Sequence, residues 1–337
     1  MLNHYTIKVS SKYYIACFGA LLLTVVAWPG CQGHKPNTPR EPNTVDIIYH
    51  EKQVDEVIDL PLKTGPAPYA FLIVVDTPIT VKHYYAFMDS LLAAYAPRVP
   101  YHLTEYIVAH ANPWIIDTLV SFDYYARQER GEFINDQKEM TVLRKGEVLL
   151  IPKTPQADSI KAMLDSTVID VNIPEFKLRI LVNGVVKYTY PVRVGRNERK
   201  YLAMAGREVS LRTPIGEGEI IRIAYNPAFI NPTDNKIYYA TRRDDGQYTQ
   251  LPLIPWLEPT IDGRRQGSLI HPTTNQATLG RPYSNACVGL PEGAAWIVYY
   301  NAPLGTKVRF RYQLDIVNDA GDSIKLKDIY ELYAPKK

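Results

Sequence analysis

The spacing of apolar and polar residues differs on the two sides of residue 167. From there on, short runs of alternating apolar and polar side chains are separated by turn residues, a pattern typical of half-buried β-strands. Asn183-Gly184 lies between two such runs and signals a two-residue hairpin, because both residues accept positive φ angles. The predicted strands are 168–172, 177–182, 185–190, 219–223 and 307–311, with one helix at 292–300. We therefore predict a mainly β domain at 167–312, a β-sandwich or partly closed barrel with one or two flanking helices.

The segment 45–166 mixes both periodicities, which indicates a small α+β domain. A strand is predicted at 70–75, and the helical spacing of Phe87, Leu91 and Tyr95 predicts a helix over 84–95. At the end of this segment, residues 141–152 resemble the closing part of a LysM peptidoglycan-binding module, in which a glycine turn leads into a short strand. A structural spacer is the alternative. Residues 313–337 are interpreted as a C-terminal tail.

The N-terminus has the pattern of an export signal. Lys8 and Lys12 precede an apolar stretch over 13–28, which is shorter than the roughly 20 residues that a membrane span needs. The stretch ends at Gly30-Cys31, which resembles the end of a lipoprotein signal in which the cysteine is acylated; ordinary cleavage or an uncleaved anchor are the alternatives. We therefore expect a signal peptide at 1–31, lipidation at Cys31 and a proline-rich tether at 32–44.

Composition and charge exclude several classes of protein. The 337 residues are 46% hydrophobic, enough for a two-domain body, and 38 basic and 35 acidic residues leave a net charge of only +3. This balance argues against nucleic acid as a partner. No metal-ligand cluster or phosphate-binding loop is visible in the sequence, so no cofactor or metal is expected. The predicted location is the periplasmic cell envelope, with membrane contact only through the lipid anchor.

A histidine and a cysteine near the C-terminal end carry the candidate chemistry. His271 lies in Ile270-His-Pro-Thr273, and Cys287 ends Ser284-Asn-Ala-Cys287, where it is a lone thiol outside the signal region. A free thiol has a pKa of about 8.5 and is mostly protonated at neutral pH, so a nucleophilic cysteine needs a base. Histidine suits that task, because its pKa near 6.5 lets it accept the proton and later return it.

Several further segments resemble one known family, the L,D-transpeptidases with a YkuD-type catalytic domain, in the same order along the chain. They are Asp170-Val-Asn172, Tyr190-Pro-Val-Arg-Val-Gly195, Thr213-Pro-Ile-Gly216, Leu279-Gly-Arg-Pro-Tyr-Ser284 and Pro303-Leu-Gly-Thr-Lys-Val308. The resemblance implies a YkuD-like fold, Cys287 as the nucleophile and His271 as its base. It departs from the family at the nucleophile motif, Ser-His-Gly-Cys followed by an aliphatic residue and Arg or Asn. Here Asn285 and Ala286 replace the His and Gly, and Gly289 replaces the polar residue.

The remaining site residues follow from this resemblance and from the chemistry of acyl transfer. We expect Pro272 to offer the carbonyl that fixes the His271 tautomer. The backbone N–H groups of Ala286 and Cys287 are candidates for the oxyanion hole. Asn285 is a candidate to bind a substrate amide and Arg281 to supply a neighbouring positive charge. For Ser284 and Asn285 the alternative is local turn chemistry, and for Arg281 it is a solvated surface. Trp256 belongs either to a lid or to the core.

The resemblance implies that the substrates are peptidoglycan stem peptides. Cys287 attacks the bond after the third residue of a tetrapeptide stem, the terminal D-residue leaves, and the thioester passes to an amine on a second stem or on an outer-membrane lipoprotein. One alternative is transfer to water, which makes the protein an L,D-carboxypeptidase or hydrolase. Another is a non-catalytic envelope binding protein with a degraded site.

Overall fold

The elements of the chain are taken from a computed structural model, which describes residues 50–51, 69–318 and 320–333. The predicted signal peptide with Cys31 and the tether at 32–44 lie outside these residues. The helices are α1 Val81–Tyr95, α2 Glu105–Ala111, α3 Pro113–Val120, α4 Tyr124–Gln128, α5 Thr154–Asp165 and α6 Glu292–Asn301. Short 3-10 turns lie at Ala96–Arg98, Gln137–Glu139, Ile173–Glu175 and Gln276–Thr278. None of the described helices has the length and apolarity to cross a bilayer.

The strands fall mostly in the second half of the described chain. They are β1 His50–Glu51, β2 Tyr69–Val74, β3 Ile79–Thr80, β4 Thr141–Leu143, β5 Val148–Pro152, β6 Thr167–Asn172, β7 Lys177–Val182, β8 Val185–Pro191, β9 Val194–Gly195, β10 Arg199–Leu202, β11 Arg207–Ser210, β12 Gly216–Ala224, β13 Phe229–Ile230, β14 Ile237–Tyr238, β15 Ala240–Arg242, β16 Tyr248–Gln250, β17 Trp256–Ile261, β18 Arg264–Arg265, β19 Ile270–Pro272, β20 Pro282–Ser284, β21 Val288–Leu290, β22 Lys307–Arg311, β23 Asp315–Val317 and β24 Ser323–Lys325. Every strand and helix predicted from the periodicity is present, within a few residues of its predicted ends.

One large sheet organises the second half of the chain, and its strand order explains how the site is assembled. Among the described residues the sheet has nine strands, in the order β21-β19-β17-β12-β22-β6-β7-β8, with β18 beside β17. Neighbouring strands are antiparallel except for β22–β6 and β19–β21, which are parallel. The β7–β8 turn is the predicted hairpin, with φ of 50° at Asn183 and 76° at Gly184. The mainly β fold expected from the sequence is therefore confirmed.

The sheet has one face toward the core, as the alternating pattern requires. In β7, Leu178, Ile180 and Val182 are buried while the residues between them are only partly covered. Side chains two apart on a strand share a face, so this spacing builds one apolar surface. Helix α6 is buried along nearly its whole length and packs against α2, α3 and β19.

The segment before residue 167 packs on the sheet domain rather than standing apart from it. Residues 50–337 group as one compact unit, and α2 and α3 contact α6. Between α2 and α6, His110 Nε2 donates to the carbonyl of Tyr300 at 2.8 Å. Within the LysM-like stretch, β4 and β5 are joined by a turn at Gly146 (φ 90°), and β5 pairs with β2. The division of the chain at residue 166 and the likeness to LysM stay predictions.

A buried carboxylate ties three parts of the chain together. Glu292, at the start of α6, is 1% exposed and accepts a hydrogen bond from Arg243 Nη1 at 2.5 Å. Its other oxygen accepts from Gln137 Nε2 at 2.7 Å and from the backbone N–H of Tyr124 at 3.1 Å. Burial raises the pKa of Glu292, and the charge of Arg243 opposes that rise. Glu292 thus joins the first segment and the β15–β16 loop to the helix behind the site.

We expect Glu292→Ala to lower the free energy of unfolding by about 3 kcal/mol, because it leaves the buried Arg243 guanidinium without its anion and removes the acceptor of the Tyr124 N–H. Urea denaturation measures this change. Asp165→Asn is the matched control, since it breaks an exposed pair with Lys161 in which both side chains are more than half exposed. Such surface pairs contribute about 0 to 1 kcal/mol. Equal urea denaturation midpoints for the two variants would contradict the structural role of Glu292.

The predicted C-terminal tail is packed against the domain. Tyr330 is 1% exposed, and its hydroxyl donates to the carbonyl of Gly195 at 2.8 Å and accepts from the N–H of Thr213 at 3.0 Å. These bonds connect the tail to the end of β9 and to the loop that precedes β12. Because Gly195 and Thr213 both lie in the family-like segments, the tail supports the loops around the candidate site.

Candidate active site

His271 and Cys287 lie on neighbouring strands of the large sheet. The parallel pair β19–β21 sets Ile270 opposite Val288 and His271 opposite Gly289, and the N–H of Val288 donates to the carbonyl of Leu269 at 2.8 Å. Cys287 comes two residues before Gly289 and immediately before β21. The register therefore places Cys287 on the chain segment next to the strand that carries His271. Both residues are partly exposed.

The imidazole of His271 is held in one orientation. Its Nδ1 lies 2.7 Å from the carbonyl oxygen of Pro272. A carbonyl only accepts, so Nδ1 carries the proton and Nε2 is left as the basic nitrogen. The ring of Trp256 packs on the imidazole with centroids 5.1 Å apart, and Phe229 packs edge-on against Trp256 at 4.8 Å. The indole therefore supports the candidate base from the side opposite β21.

Burial and one arginine set the protonation states of the pair. Burial and, to a smaller extent, the charge of Arg193 lower the pKa of His271 to about 4, and the hydrogen bond with the Pro272 carbonyl opposes both. Burial raises the pKa of the Cys287 thiol, while a backbone hydrogen bond from Leu269 and the charge of Arg193 oppose that rise. At neutral pH the resting site therefore holds a neutral thiol and a neutral imidazole. This state suits general-base activation of the thiol during attack rather than a preformed ion pair.

The turn before Cys287 presents two backbone donors. Ser284 Oγ donates to the carbonyl of Cys287 at 2.5 Å, which closes the turn. Ala286 has a φ of 74°, in the left-handed region. In the part of the chain that the structure describes, no acceptor pairs with the N–H of Ala286 or of Cys287. Two adjacent free N–H groups beside a nucleophile are the arrangement that stabilises an oxyanion.

Ala286→Gly is expected to raise the free energy of unfolding by about 0.5 to 1 kcal/mol. A Cβ at positive φ is strained, and glycine removes that strain while its greater freedom in the unfolded chain offsets part of the gain. Chemical denaturation of the two proteins measures the difference. Ala205→Gly, in an ordinary turn without positive φ, is the control and should be neutral or destabilising. A destabilised Ala286→Gly protein would contradict the strained backbone.

The other candidate residues take different positions. Asn285 Oδ1 accepts from Arg196 Nη2 at 2.7 Å, so its carbonyl group is engaged within the protein. Arg281 has an exposed side chain, and its backbone carbonyl accepts from the N–H of Val194 at 3.2 Å. Ser284 is buried and serves the turn. Substrate contacts by Asn285 and Arg281 remain predictions.

Arg193 was missed by the sequence reasoning. It forms an antiparallel bridge with Gly289, with N–H to carbonyl distances of 3.0 Å in both directions. A Cβ built on Gly289 would lie 2.6 Å from Arg193 Nε and 2.8 Å from Arg193 Cγ. The arginine side chain thus fills the space next to Gly289. The glycine at a position where the family has Arg or Asn was the available signal, but nothing local in the sequence shows which strand pairs there.

A cleft of about 270 Å³ lies beside the nucleophile turn. Ala286, Ser268, Gln266 and Arg212 line it, and Leu332 of the tail adds an apolar side chain, whereas His271 and Cys287 are not among its lining residues. Such mixed polar and apolar walls suit an extended peptide. The cleft is the candidate route by which a substrate reaches Cys287.

Comparison with known proteins bears on the domain that holds this site. Residues 166–310 match the YkuD family model, described as the L,D-transpeptidase catalytic domain. No curated protein matches the chain. An L,D-transpeptidase structure from Mycobacterium smegmatis is similar at 14% identity and a TM-score of 0.31, over 43% of this chain and 58% of that one. The chain spans about three fifths of the length of the first mycobacterial structures it matches.

In two further structures the match extends over nearly the whole of the other chain. The L,D-transpeptidase from Xylanimonas cellulosilytica is 14% identical with a TM-score of 0.32, over 73% of this chain and 100% of that one. The catalytic domain of the E. faecium L,D-transpeptidase is 15% identical with a TM-score of 0.28, over 44% and 98%. The match of residues 166–310 is thus to the YkuD-type L,D-transpeptidase catalytic domain, the family that the sequence motifs indicated.

Proposed function

We propose that this protein is a peptidoglycan L,D-transpeptidase that works through a thioester on Cys287. The observation that supports the proposal is the register of β19 and β21, which pairs His271 with Gly289, two residues after Cys287, while Nδ1 of His271 is held by the carbonyl of Pro272. Two free backbone N–H groups in the adjoining turn add the means to stabilise an oxyanion. The family match of residues 166–310 supports the reaction class.

The proposed reaction has two halves. Nε2 of His271 takes the thiol proton as the Cys287 sulfur attacks the carbonyl carbon of the third stem residue, and the oxyanion forms against the N–H groups of Ala286 and Cys287. The C–N bond breaks, and His271 returns the proton to the departing D-residue amine. An acceptor amine then attacks the thioester, His271 removes its proton, and the sulfur leaves with the proton restored.

The acceptor is either an amine on a second stem or one on an outer-membrane lipoprotein; with water, the same steps give an L,D-carboxypeptidase. We further propose that the protein works in the periplasm, held to a membrane by a lipid on Cys31. The proline-rich tether at 32–44 supports this proposal, because an extended linker lets an anchored domain reach the wall.

A non-catalytic envelope binding protein is the second candidate, favoured by two observations. Burial raises the pKa of the Cys287 thiol, and the family's motif histidine is replaced by Asn285. Product analysis separates the candidates. Purified protein is incubated with tetrapeptide-stem muropeptides beside Cys287→Ala, and products are resolved by liquid chromatography and mass spectrometry. A crosslinked dimer supports transfer, a shortened stem supports hydrolysis, and unchanged substrate in both samples contradicts catalysis.

A further inference from the structure

Arg193 is a half-buried cation whose guanidinium has few hydrogen-bond acceptors and no anion next to it among the described residues. In the described part of the chain it forms no ion pair, and its Nε is enclosed without an acceptor. The hydrogen bond from its Nη1 to Thr278 Oγ1 is long, at 3.4 Å. Removing a guanidinium from water is costly unless an anion or several acceptors replace the solvent. An arginine kept in this state beside a reactive thiol indicates that its anionic partner arises during function.

The strand register sets Arg193 in one row with the base. His271 is opposite Gly289 across the β19–β21 pair, and Gly289 is opposite Arg193 across the isolated bridge. Directly opposite residues face the same side of a sheet, so the two side chains point to one face with a glycine between them. The space that a side chain at 289 needs is taken by the Arg193 side chain. Gly289 and Arg193 are therefore complementary, because the missing side chain at position 289 leaves the space that the Arg193 side chain occupies.

We propose that Arg193, in the link between β8 and β9, replaces the polar side chain that the nucleophile motif has lost at position 289, and that its guanidinium stabilises the Cys287 thiolate. The inference rests on the proposed function, since it assigns a residue to that same site. It differs from the sequence expectation, which gave the neighbouring positive charge to Arg281.

The electrostatics of the site agree with this assignment. The charge of Arg193 opposes the burial-driven rise in the pKa of Cys287. The same charge helps to keep His271 unprotonated and ready to accept the thiol proton. Tyr283 and Asp244 are the other titratable groups that interact with the guanidinium, and neither forms an ion pair with it within the described residues.

The test measures the ionisation of the thiol directly, without a peptide. The rate of alkylation of Cys287 by iodoacetamide is followed against pH on the full-length protein, with peptide mapping to separate Cys287 from Cys17 and Cys31. In Arg193→Gln the midpoint of the alkylation rate against pH should rise by about one pH unit, because an adjacent opposite charge shifts a pKa by about that much or more. The rate at pH 7 should fall roughly tenfold with the thiolate fraction. Arg193→Lys, which keeps a charge, should lie between the two.

A transposed variant tests the complementarity itself. In Arg193→Ala/Gly289→Arg the side chain that blocks position 289 is gone, and Gly289 has no positive φ that would exclude a substitution. Its midpoint should return toward that of the wild type, whereas Arg193→Ala alone should stay shifted. Arg144→Gln removes an exposed arginine in the first segment and should change nothing. Near-UV circular dichroism checks that each variant is folded.

The possible outcomes keep this inference separate from the proposed function. An unshifted midpoint in Arg193→Gln and Arg193→Lys, or a double variant no better than Arg193→Ala, overturns the role of Arg193. So does a variant whose KM for muropeptides rises while the alkylation profile stays the same, because that result makes Arg193 a substrate-binding group. A wild type inactive on muropeptides, in which alkylation still depends on Arg193, refutes the proposed function alone.

Discussion

Cys287→Ala is expected to abolish acyl transfer and to lower kcat/KM by about 10⁴-fold or more, the scale seen when a nucleophile is removed from a catalytic group that acts as a unit. The backbone N–H groups of the turn cannot carry the acyl group, and His271 acts as the base in the proposed reaction. Alanine keeps the Cβ of the cysteine and lacks only the sulfur. The hydrogen bond from Ser284 Oγ to the backbone carbonyl of residue 287 stays in place. The fold should therefore survive the loss of activity.

Intact-protein mass spectrometry after incubation with a carbapenem checks this prediction. Ring opening by the thiolate leaves the whole lactam bound as a thioester, so the wild type should gain the mass of one lactam and Cys287→Ala should gain none. Cys287→Ser is the matched control, because it keeps a weaker nucleophile with the same geometry and should acylate slowly. An adduct of equal yield on Cys287→Ala would assign the reactive group to another residue.

The fold was predictable because its signals are local. Alternation at 177–182 and 185–190 and the positive φ preference of Asn183-Gly184 determine a hairpin without reference to the rest of the chain. The motifs around His271 and Cys287 are local as well. Their approach across β19 and β21 follows once both are assigned to one sheet.

What the sequence did not reveal depends on pairs of residues far apart in the chain. Arg193 enters the site only through its bridge to Gly289, and the pattern of either strand alone gives no reason to join them. Arg243 and Glu292 are charged, so periodicity assigns them to the surface, yet they meet in the core because each neutralises the other. Sequence periodicity measures average burial, and paired buried charges are the exceptions to it.

His271→Asn is expected to lower kcat/KM by about 10³-fold, within the range that a general base contributes. Asparagine can still donate to the Pro272 carbonyl, so the loss reports the missing base rather than a displaced strand. The pH profile carries a second signature. A base must be neutral to act, and a pKa lowered from 6.5 to about 4 leaves the imidazole neutral at all pH values above about 4. On the acid side, the kcat/KM of the wild type should therefore fall only near pH 4 to 5, well below the pH at which an ordinary histidine becomes protonated.

The kcat/KM for muropeptides between pH 3.5 and 9 measures both effects, with Trp256→Phe as the control for packing on the imidazole. That variant keeps an aromatic ring against His271 and should retain the low acid limb with a modest loss of rate. In His271→Asn the acid limb should disappear, because the group that titrates there is gone. An acid limb near pH 6.5 in the wild type would instead indicate a solvated imidazole that pairs with a preformed thiolate. The neutral pair beside Arg193 at the edge of this sheet would then not be the reacting state.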